Sequence, residues 1–448
     1  MEKKKLYIEN LGCAKNQVDA EVMLHRLEQE GFVKVEDALE ADLIMVNSCG
    51  FIEPARQESI ESFFELKAAN PNAKIIFSGC MAQRYAKSLE EQLHEADGIF
   101  GNRDLTKITS FVNRLYKEDR VVETPPYPLI EDADKRENLF NFPGSAYLKI
   151  SEGCNHRCRY CAIPLIRGSL RSRSKEIIVA EAKELIANGI KEINLIAQDL
   201  AAYGTDKNNQ SQFLDLLETL VSIEGDFKIR MLYIHPDYFP DELINFVVNN
   251  EKVIPYFDLP FQHADPFVLK MMGRTGDSET YLNLIKRIRA AIPDATIRST
   301  FMLGFTNETE ESFKTLLNFV KEAQLDWAGS FIYSKEENTP AYKDSDNTLY
   351  KKQIKEAAKW QKELEKTQQE ITQKRLKRFV GTEQYVLIEE LIEDEDLAIG
   401  RTVHQAPEVD GLTVVMGHNL KEGSVIRCGI RRLNGIDLEA LPIKEVLI

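Results

Sequence analysis

At 448 residues the chain exceeds what one ordinary core supports, so two or three domains are expected. Hydrophobic residues at 43% and charged residues at 29% give the balance of a soluble globular protein, and no apolar run is long enough to cross a bilayer. A formal net charge of -15 argues against indiscriminate nucleic-acid binding, because an acidic surface repels phosphate backbones, and suits a basic protein partner at least as well.

The first strand-like run is Leu6-Tyr7-Ile8, with no apolar stretch of signal-peptide length before it, so a cytoplasmic protein is expected. Its seven cysteines then read as thiols or metal ligands rather than disulfides. Leu6–Ile8, Leu43–Val46 and Lys74–Phe77 are short apolar runs of the buried parallel type. Helical patterns follow them at roughly 17–30, 54–69 and 83–95, which predicts a doubly wound sheet over 1–120. Pro125, Pro126, Pro128 and Pro143-Gly144 mark 121–145 as a linker.

A second βα series fills 146–345. Strands are expected at Ala146–Ser151, Glu192–Ala197, Lys228–Tyr233, Tyr256–Leu259, Ala295–Leu303 and Trp327–Tyr333, with helices between them. Six such units predict a TIM-like barrel, open or closed, with its chemistry on the loops after the strand ends. Residues 346–378 are highly charged helix formers, expected to be a connecting helix, and 379–448 read as a small β-barrel. The fold class is therefore α/β with an N-terminal doubly wound parallel sheet, a central barrel and a C-terminal β-barrel.

Right after the first strand of the second series comes Gly153-Cys154-Asn155-His156-Arg157-Cys158-Arg159-Tyr160-Cys161. Three thiolates at C-x3-C-x2-C spacing can hold three irons of a cubane and leave the fourth open to a substrate. A zinc site completed by His156, or plain buried thiols, is the bland alternative. Cys13, Cys49 and Cys80 lie far apart in sequence, yet each stands just past a strand end and before a helix. Parallel strands share one C-terminal edge, so these three would converge near helix N-termini, which lower thiol pKa values. They form a second cluster site, or else are small residues at tight turns next to Gly12, Gly50 and Gly79.

Leu11-Gly12-Cys13-Ala14-Lys15-Asn16, Asn47-Ser48-Cys49-Gly50-Phe51-Ile52 and Gly79-Cys80-Met81-Ala82-Gln83 resemble the amino-terminal signature of the radical S-adenosylmethionine methylthiotransferases. With the compact motif and a terminal TRAM-like β-barrel, the resemblance covers nearly the whole chain. It implies two 4Fe-4S clusters, one on Cys13, Cys49 and Cys80 and one on Cys154, Cys158 and Cys161, with S-adenosylmethionine as cofactor. It further implies reductive cleavage of S-adenosylmethionine, hydrogen abstraction from a substrate carbon, and methylthio transfer from the N-terminal cluster.

Gly12-Cys13-Ala14-Lys15-Asn16 with Asp19 and Glu21 is similar to the branch that modifies an aspartate β-carbon of small-subunit ribosomal protein S-twelve, as is Gln405-Ala406-Pro407-Glu408-Val409-Asp410-Gly411. The alternative branch is a tRNA adenosine methylthiotransferase. Residues 379–448 hold 13 acidic against 6 basic side chains, which fits a basic protein better than tRNA. Arg427, Arg431 and Arg432 gathered on one barrel face would favour tRNA. Free substrate and assembled small subunit are both open. A flavodoxin or ferredoxin is the expected electron donor, and a monomer the expected state, away from any membrane.

The cofactor contacts expected from the barrel strand ends are Tyr160 beside the adenine, Gln198 and Asp199 at the methionyl or ribose part, and Gln262 with His263 in a similar place. Tyr160 as a packing aromatic, Asp199 as a helix cap and His263 as a structural residue are the alternatives. Arg167, Arg171 and Arg173 would contact cofactor or substrate, or form a solvated basic turn. Cys428 is expected to be a core thiol. In Gly304-Phe305-Thr306-Asn307-Glu308, Thr306-Asn307 replaces the family's Pro-Gly; Asn tolerates left-handed geometry, so the turn is expected to survive.

Overall fold

A computed structural model describes residues 3–128, 135–344, 347–393 and 395–443. Contacts divide the chain into two units, one of Met1–Phe140, Ser151–Asn155 and Cys161–Ile177, the other of Asn141–Ile150, His156–Tyr160 and Ile178–Ile448.

The first unit is built on a parallel six-stranded sheet of β1 (Lys4–Asn10), β2 (Phe32–Lys34), β3 (Leu43–Ser48), β4 (Lys74–Gly79), β5 (Gly98–Gly101) and β6 (Val121–Glu123). Its spatial order is β2-β1-β3-β4-β5-β6, so the winding reverses between β1 and β3. Strand side chains alternate between faces, and both faces are cored: Leu43 and Met45 join one apolar cluster while Ile44 and Val46 join the other. Helices α1 (Ala14–Gln29), α2 (Glu53–Ala69) and α3 (Cys80–Gln92) follow β1, β3 and β4. The three strands with long apolar runs were legible as such. β2, β5 and β6 were not, being three or four residues long, and β6 falls where prolines suggested the start of a linker. The middle of that linker, 129–134, lies outside the described residues, as does residue 346 at the start of the expected connecting helix. The first unit also contains β8 (Ser151–Glu152) paired antiparallel to β9 (Arg171–Ser172) and the short helix Ile163–Arg167.

The second unit holds the parallel strands β7 (Ser145–Lys149), β10 (Glu192–Ile196), β11 (Lys228–Met231), β12 (Val253–Asp258), β13 (Thr296–Leu303) and β14 (Trp327–Ile332) in sequential order. Every residue of β7 and β10 is buried, as a sheet covered on both faces requires. The sheet is open: among the described residues no ladder joins β14 to β7. The helix Asn347–Leu376 leads to a closed barrel of β15 (Glu383–Leu391), β16 (Leu397–Thr402), β17 (Thr413–Met416), β18 (Val425–Asn434) and β19 (Asp437–Pro442). Cys428 is fully buried in it.

That small barrel is joined to residues of the central strands by buried polar contacts. Glu192 accepts from Arg230 at 2.9 Å and from Arg401 of β16 at 2.9 Å, while Arg401 also holds Glu389 at 2.7 Å. Tyr256 donates to Asp410 at 2.6 Å, and Trp327 Nε1 donates to the His404 carbonyl at 2.8 Å.

Candidate active site

The dispersed cysteines are brought together in the first unit. Cys13 caps α1 after β1, Cys49 follows β3, and Cys80 opens α3 directly after β4. These strands are neighbours, and β1 and β3 flank the winding reversal, where open α/β sheets leave a crevice at their C-terminal edge. The three loops are fastened to one another. Asn16 Nδ2 donates to the carbonyls of Asn47 and Ser48 at 3.3 and 3.2 Å, and Asn47 Nδ2 returns a bond to the Asn16 carbonyl at 2.8 Å. A Cβ on Gly50 would lie 2.7 Å from the Cys80 carbonyl group, and one on Gly79, whose φ is +93, would lie 2.6 Å from the Ser48 oxygen. Glycine is needed at both because the backbones touch.

The thiols interact electrostatically with one another. Burial pushes Cys80 up to about 12, with Arg167 opposing and Cys13 and Cys49 adding to the rise. Cys49 is raised as well, again by burial first. Burial also works against the Cys13 thiolate, but Lys15, Arg167 and two backbone N–H groups outweigh it and hold the thiol below its usual range. The expected lowering at helix N-termini is therefore realised at Cys13 alone, since desolvation wins at the other two. One thiol that ionises readily beside two that resist ionising fits a site whose negative charge is taken up by bound iron. Among the described residues no group of three or more His, Cys, Asp or Glu side chains is placed to hold a single metal ion.

Two donors reach the Cys80 sulfur, Asn102 Nδ2 at 3.2 Å and Arg167 Nη2 at 3.4 Å, and the thiol itself stands 3.8 Å from Asn16 Oδ1. Arg167 is not part of a solvated basic turn. It is 3% exposed and bonded to Asp19 and Glu152. Arg171 instead lies over the Tyr127 ring at 3.7 Å.

The compact motif divides between the units, Cys154 and Cys161 in the first and Cys158 in the second. In the first, Gly153 has φ +74, and Cys154 N donates to the Gly168 carbonyl at 3.1 Å. Leu170 N donates to Asn155 Oδ1 at 3.0 Å, and Ile163 N to Cys161 Sγ at 3.4 Å. In the second, Arg159 N donates to Met272 O at 2.9 Å, and Gly273 admits the Arg157 carbonyl.

Among the strand-end residues, also in the second unit, Tyr160 is buried, edge-on to Phe305, and its hydroxyl accepts from Arg274 at 3.3 Å. Gln198 buries both amide atoms with no partner. Gln262 buries an unpartnered Oε1 and has φ +68, with its backbone pinned by Thr300 and Met302. Buried amides left orphaned at the C-terminal edge of a sheet have the chemistry to receive a polar ligand, and S-adenosylmethionine fits them.

Asp199 is otherwise engaged: it caps Ala201 N at 3.1 Å and takes the His235 N–H at 3.0 Å and His156 Nε2 at 2.7 Å. His156 stacks on Tyr238 at 4.6 Å, so Asp199 orients a residue of the cysteine motif. Burial, helped by Arg274 and His156, lowers His235 to about 2 and keeps it neutral. His263 has both ring nitrogens occupied, Nδ1 by Asp265 N at 3.0 Å and Nε2 by Glu308 at 3.2 Å. These bonds tie its ring to the loop. Asn307 takes φ +65, so the turn that lacks Pro-Gly survives, closed by Glu308 on the N–H groups of Gly304 and Phe305. Arg274, Glu308 and Asn102 carry no local sequence signal, because their partners are distant in the chain. On the small barrel, Arg427 and Arg432 are paired with Glu383 and Glu439.

Three family profiles match successive parts of the chain: the uncharacterized protein family UPF0004 over 5–101, the radical SAM superfamily over 148–320 and the TRAM domain over 380–443. The radical SAM match implies a 4Fe-4S cluster and S-adenosylmethionine. Among solved structures, the chain is similar to the radical S-adenosylmethionine methyltransferase TsrM from Kitasatospora setae, with a TM-score of 0.56 and 14% identity over 76% of this chain and 77% of that one, a likeness of fold. The ribosomal protein uS12 methylthiotransferase RimO of Treponema denticola is 41% identical over 96% of this chain and 99% of that protein. RimO of Syntrophomonas wolfei is 42% identical over 91% and 92%, and that of Aquifex aeolicus 40% over 98% of each. Identity of this order across all three matched regions shows that the chain belongs to the RimO family of ribosomal protein uS12 methylthiotransferases.

Proposed function

We propose that this chain attaches a methylthio group to the β-carbon of an aspartate in the small-subunit ribosomal protein uS12. The observation that carries the reading is the near-full-length likeness to RimO proteins, in a chain whose three N-terminal cysteines share one fastened sheet edge. Cys154, Cys158 and Cys161 would hold the radical SAM cluster, and Cys13, Cys49 and Cys80 a second, sulfur-donating one. The proposed domain limits are 1–120, 146–345 and 379–448. S-adenosylmethionine, cleaved reductively, supplies the radical needed to open an unactivated C–H bond that no base could deprotonate.

This chain's residues bind and orient. Gln198 and Gln262 present buried amides to the cofactor, and Tyr160, fixed by Arg274, walls the site. Asp199 holds His156 and with it the motif loop. The pairing of Arg427 and Arg432 with glutamates leaves the small barrel acidic, which suits a basic protein substrate rather than tRNA. The electron donor in this reading is a flavodoxin or ferredoxin, and the working unit a monomer.

The test is anaerobic. The protein is reconstituted with iron and sulfide, reduced, and offered uS12 and bulk tRNA separately with S-adenosylmethionine, and mass spectrometry reads the added methylthio group. Modification of uS12 is expected, and modification of tRNA alone would overturn the substrate. Cys49→Ala should lose transfer while still cleaving S-adenosylmethionine, and full transfer by that variant would remove the second cluster from the scheme.

A further inference from the structure

Arg167 has an arrangement that neither cysteine motif accounts for. Its guanidinium is 3% exposed and lies among the loops of Cys13, Cys49 and Cys80. Nη1 holds both oxygens of Glu152 at 3.0 Å, while Nη2 donates to Asp19 at 2.8 Å. Nη2 also stands 3.4 Å from Cys80 Sγ and 3.5 Å from Asn16 Oδ1. Two carboxylates more than balance the charge of one guanidinium and clamp its plane. The clamped plane directs an N–H at the sulfur, beside a second N–H from Asn102 at 3.2 Å.

The connection runs further along the chain. Arg167 ends the helix that begins just after Cys161, Glu152 lies just before Cys154, and Cys154 N is bonded to the Gly168 carbonyl. One side chain thereby ties the Cys80 loop to both shoulders of the compact motif inside the first unit.

We propose that Arg167 is a positioning and potential-tuning residue of the dispersed-cysteine site: with Asn102 it donates N–H bonds to the Cys80 sulfur and raises the reduction potential of a cluster bound there. The inference rests on the two-cluster reading above. Hydrogen bonds to a ligating sulfur draw density from the iron and favour the reduced, more negative state. A purely structural arginine would serve Asp19 and Glu152 and leave the potential alone.

The experiment uses the full chain with Cys154, Cys158 and Cys161 all replaced by Ala, so that only the dispersed site can bind a cluster. After anaerobic reconstitution, iron and sulfide are assayed and the midpoint potential is read by EPR-monitored titration. Arg167→Met combined with Asp19→Asn removes the donor without stranding Asp19, Arg167→Lys keeps the charge, and Asn102→Leu removes the other N–H without touching the ion pairs. The expected result is a more negative midpoint in the Met/Asn and Leu variants. It corresponds to a roughly tenfold weaker reduction equilibrium, about 59 mV for one electron, with the Lys variant closer to the parent. If the Arg167 variants lose their iron, the Asn102→Leu potential decides. An unchanged midpoint in iron-loaded variants overturns the role of Arg167 and leaves the two-cluster reading standing, whereas a parent that binds no iron overturns both.

Discussion

Gly50 and Cys80 meet backbone to backbone, so closely that any side chain at 50 would enter the space of the Cys80 carbonyl, 2.7 Å from where a Cβ would sit. Their loops follow neighbouring strands and carry the Cys49 and Cys80 thiols. Gly50→Ala should therefore spread the loops, because the obstructing atoms are backbone and cannot rotate away. The expected outcome is loss of iron from the dispersed site after anaerobic reconstitution, with iron at the compact motif retained. Assaying the variant in chains lacking one or the other cysteine set separates the two. Parental iron at both sites would show that the contact does not matter.

Glu192 is the shared acceptor of Arg230 and Arg401, all three buried, and so fastens the small barrel to the central strands. Burial opposes its ionisation, but the two guanidinium groups prevail and bring the carboxyl down to about 2 from 4.5. Glu192→Gln leaves two buried cations short of an acceptor charge, a change that costs about 3–5 kcal/mol. A carboxyl with a depressed folded pKa stabilises fully above its unfolded value and loses that contribution as pH falls through the folded one. Parent and variant should thus differ most in melting temperature above pH 4.5 and converge toward pH 2. A constant difference across that window would assign the effect to packing instead.

How much of this was legible in the sequence depends on how local each signal is. The cysteines could be placed at one sheet edge because strand ends and parallel winding follow from short-range patterns. The Asn307 turn could be read because a left-handed Asn is a local preference, and φ +65 agrees. Arg167 could not, since its partners are Asp19, far earlier in the chain, and Glu152 on the preceding short strand. His263 stood where a ligand residue would stand, and only the fold reveals that Glu308 and Asp265 have taken its nitrogens. Whether six βα units close into a barrel likewise turns on the pairing of the first and last strands, which no local pattern encodes.

Glu308 gathers three donors into one buried carboxylate, the N–H groups of Gly304 and Phe305 and the His263 ring. Removing it as Glu308→Ala orphans all three where water does not reach. Each orphaned donor costs about 1–3 kcal/mol, and with some relaxation a total of about 3–5 kcal/mol is expected by urea unfolding. Asn307→Gly, one residue away, keeps the left-handed backbone and should move stability by less than about 1 kcal/mol. Comparable losses in both variants would mean that the turn, and not the carboxylate, holds the loop.

Gln262 combines strain and an unused bond. Its φ of +68 is held by backbone bonds to Thr300 and Met302 on β13, and the geometry leaves Oε1 buried with no donor. A fold accepts both costs where a ligand supplies the missing partner. Gln262→Gly isolates the amide, because glycine adopts the same φ freely and leaves the backbone bonds in place. Losing one ligand hydrogen bond of about 1–1.5 kcal/mol should weaken S-adenosylmethionine binding roughly tenfold in equilibrium dialysis of the reconstituted protein. The melting temperature should move little, since relieved strain offsets the added chain entropy of glycine. Unchanged affinity would remove Gln262 from the cofactor site and leave Gln198 as the orphaned amide to test next.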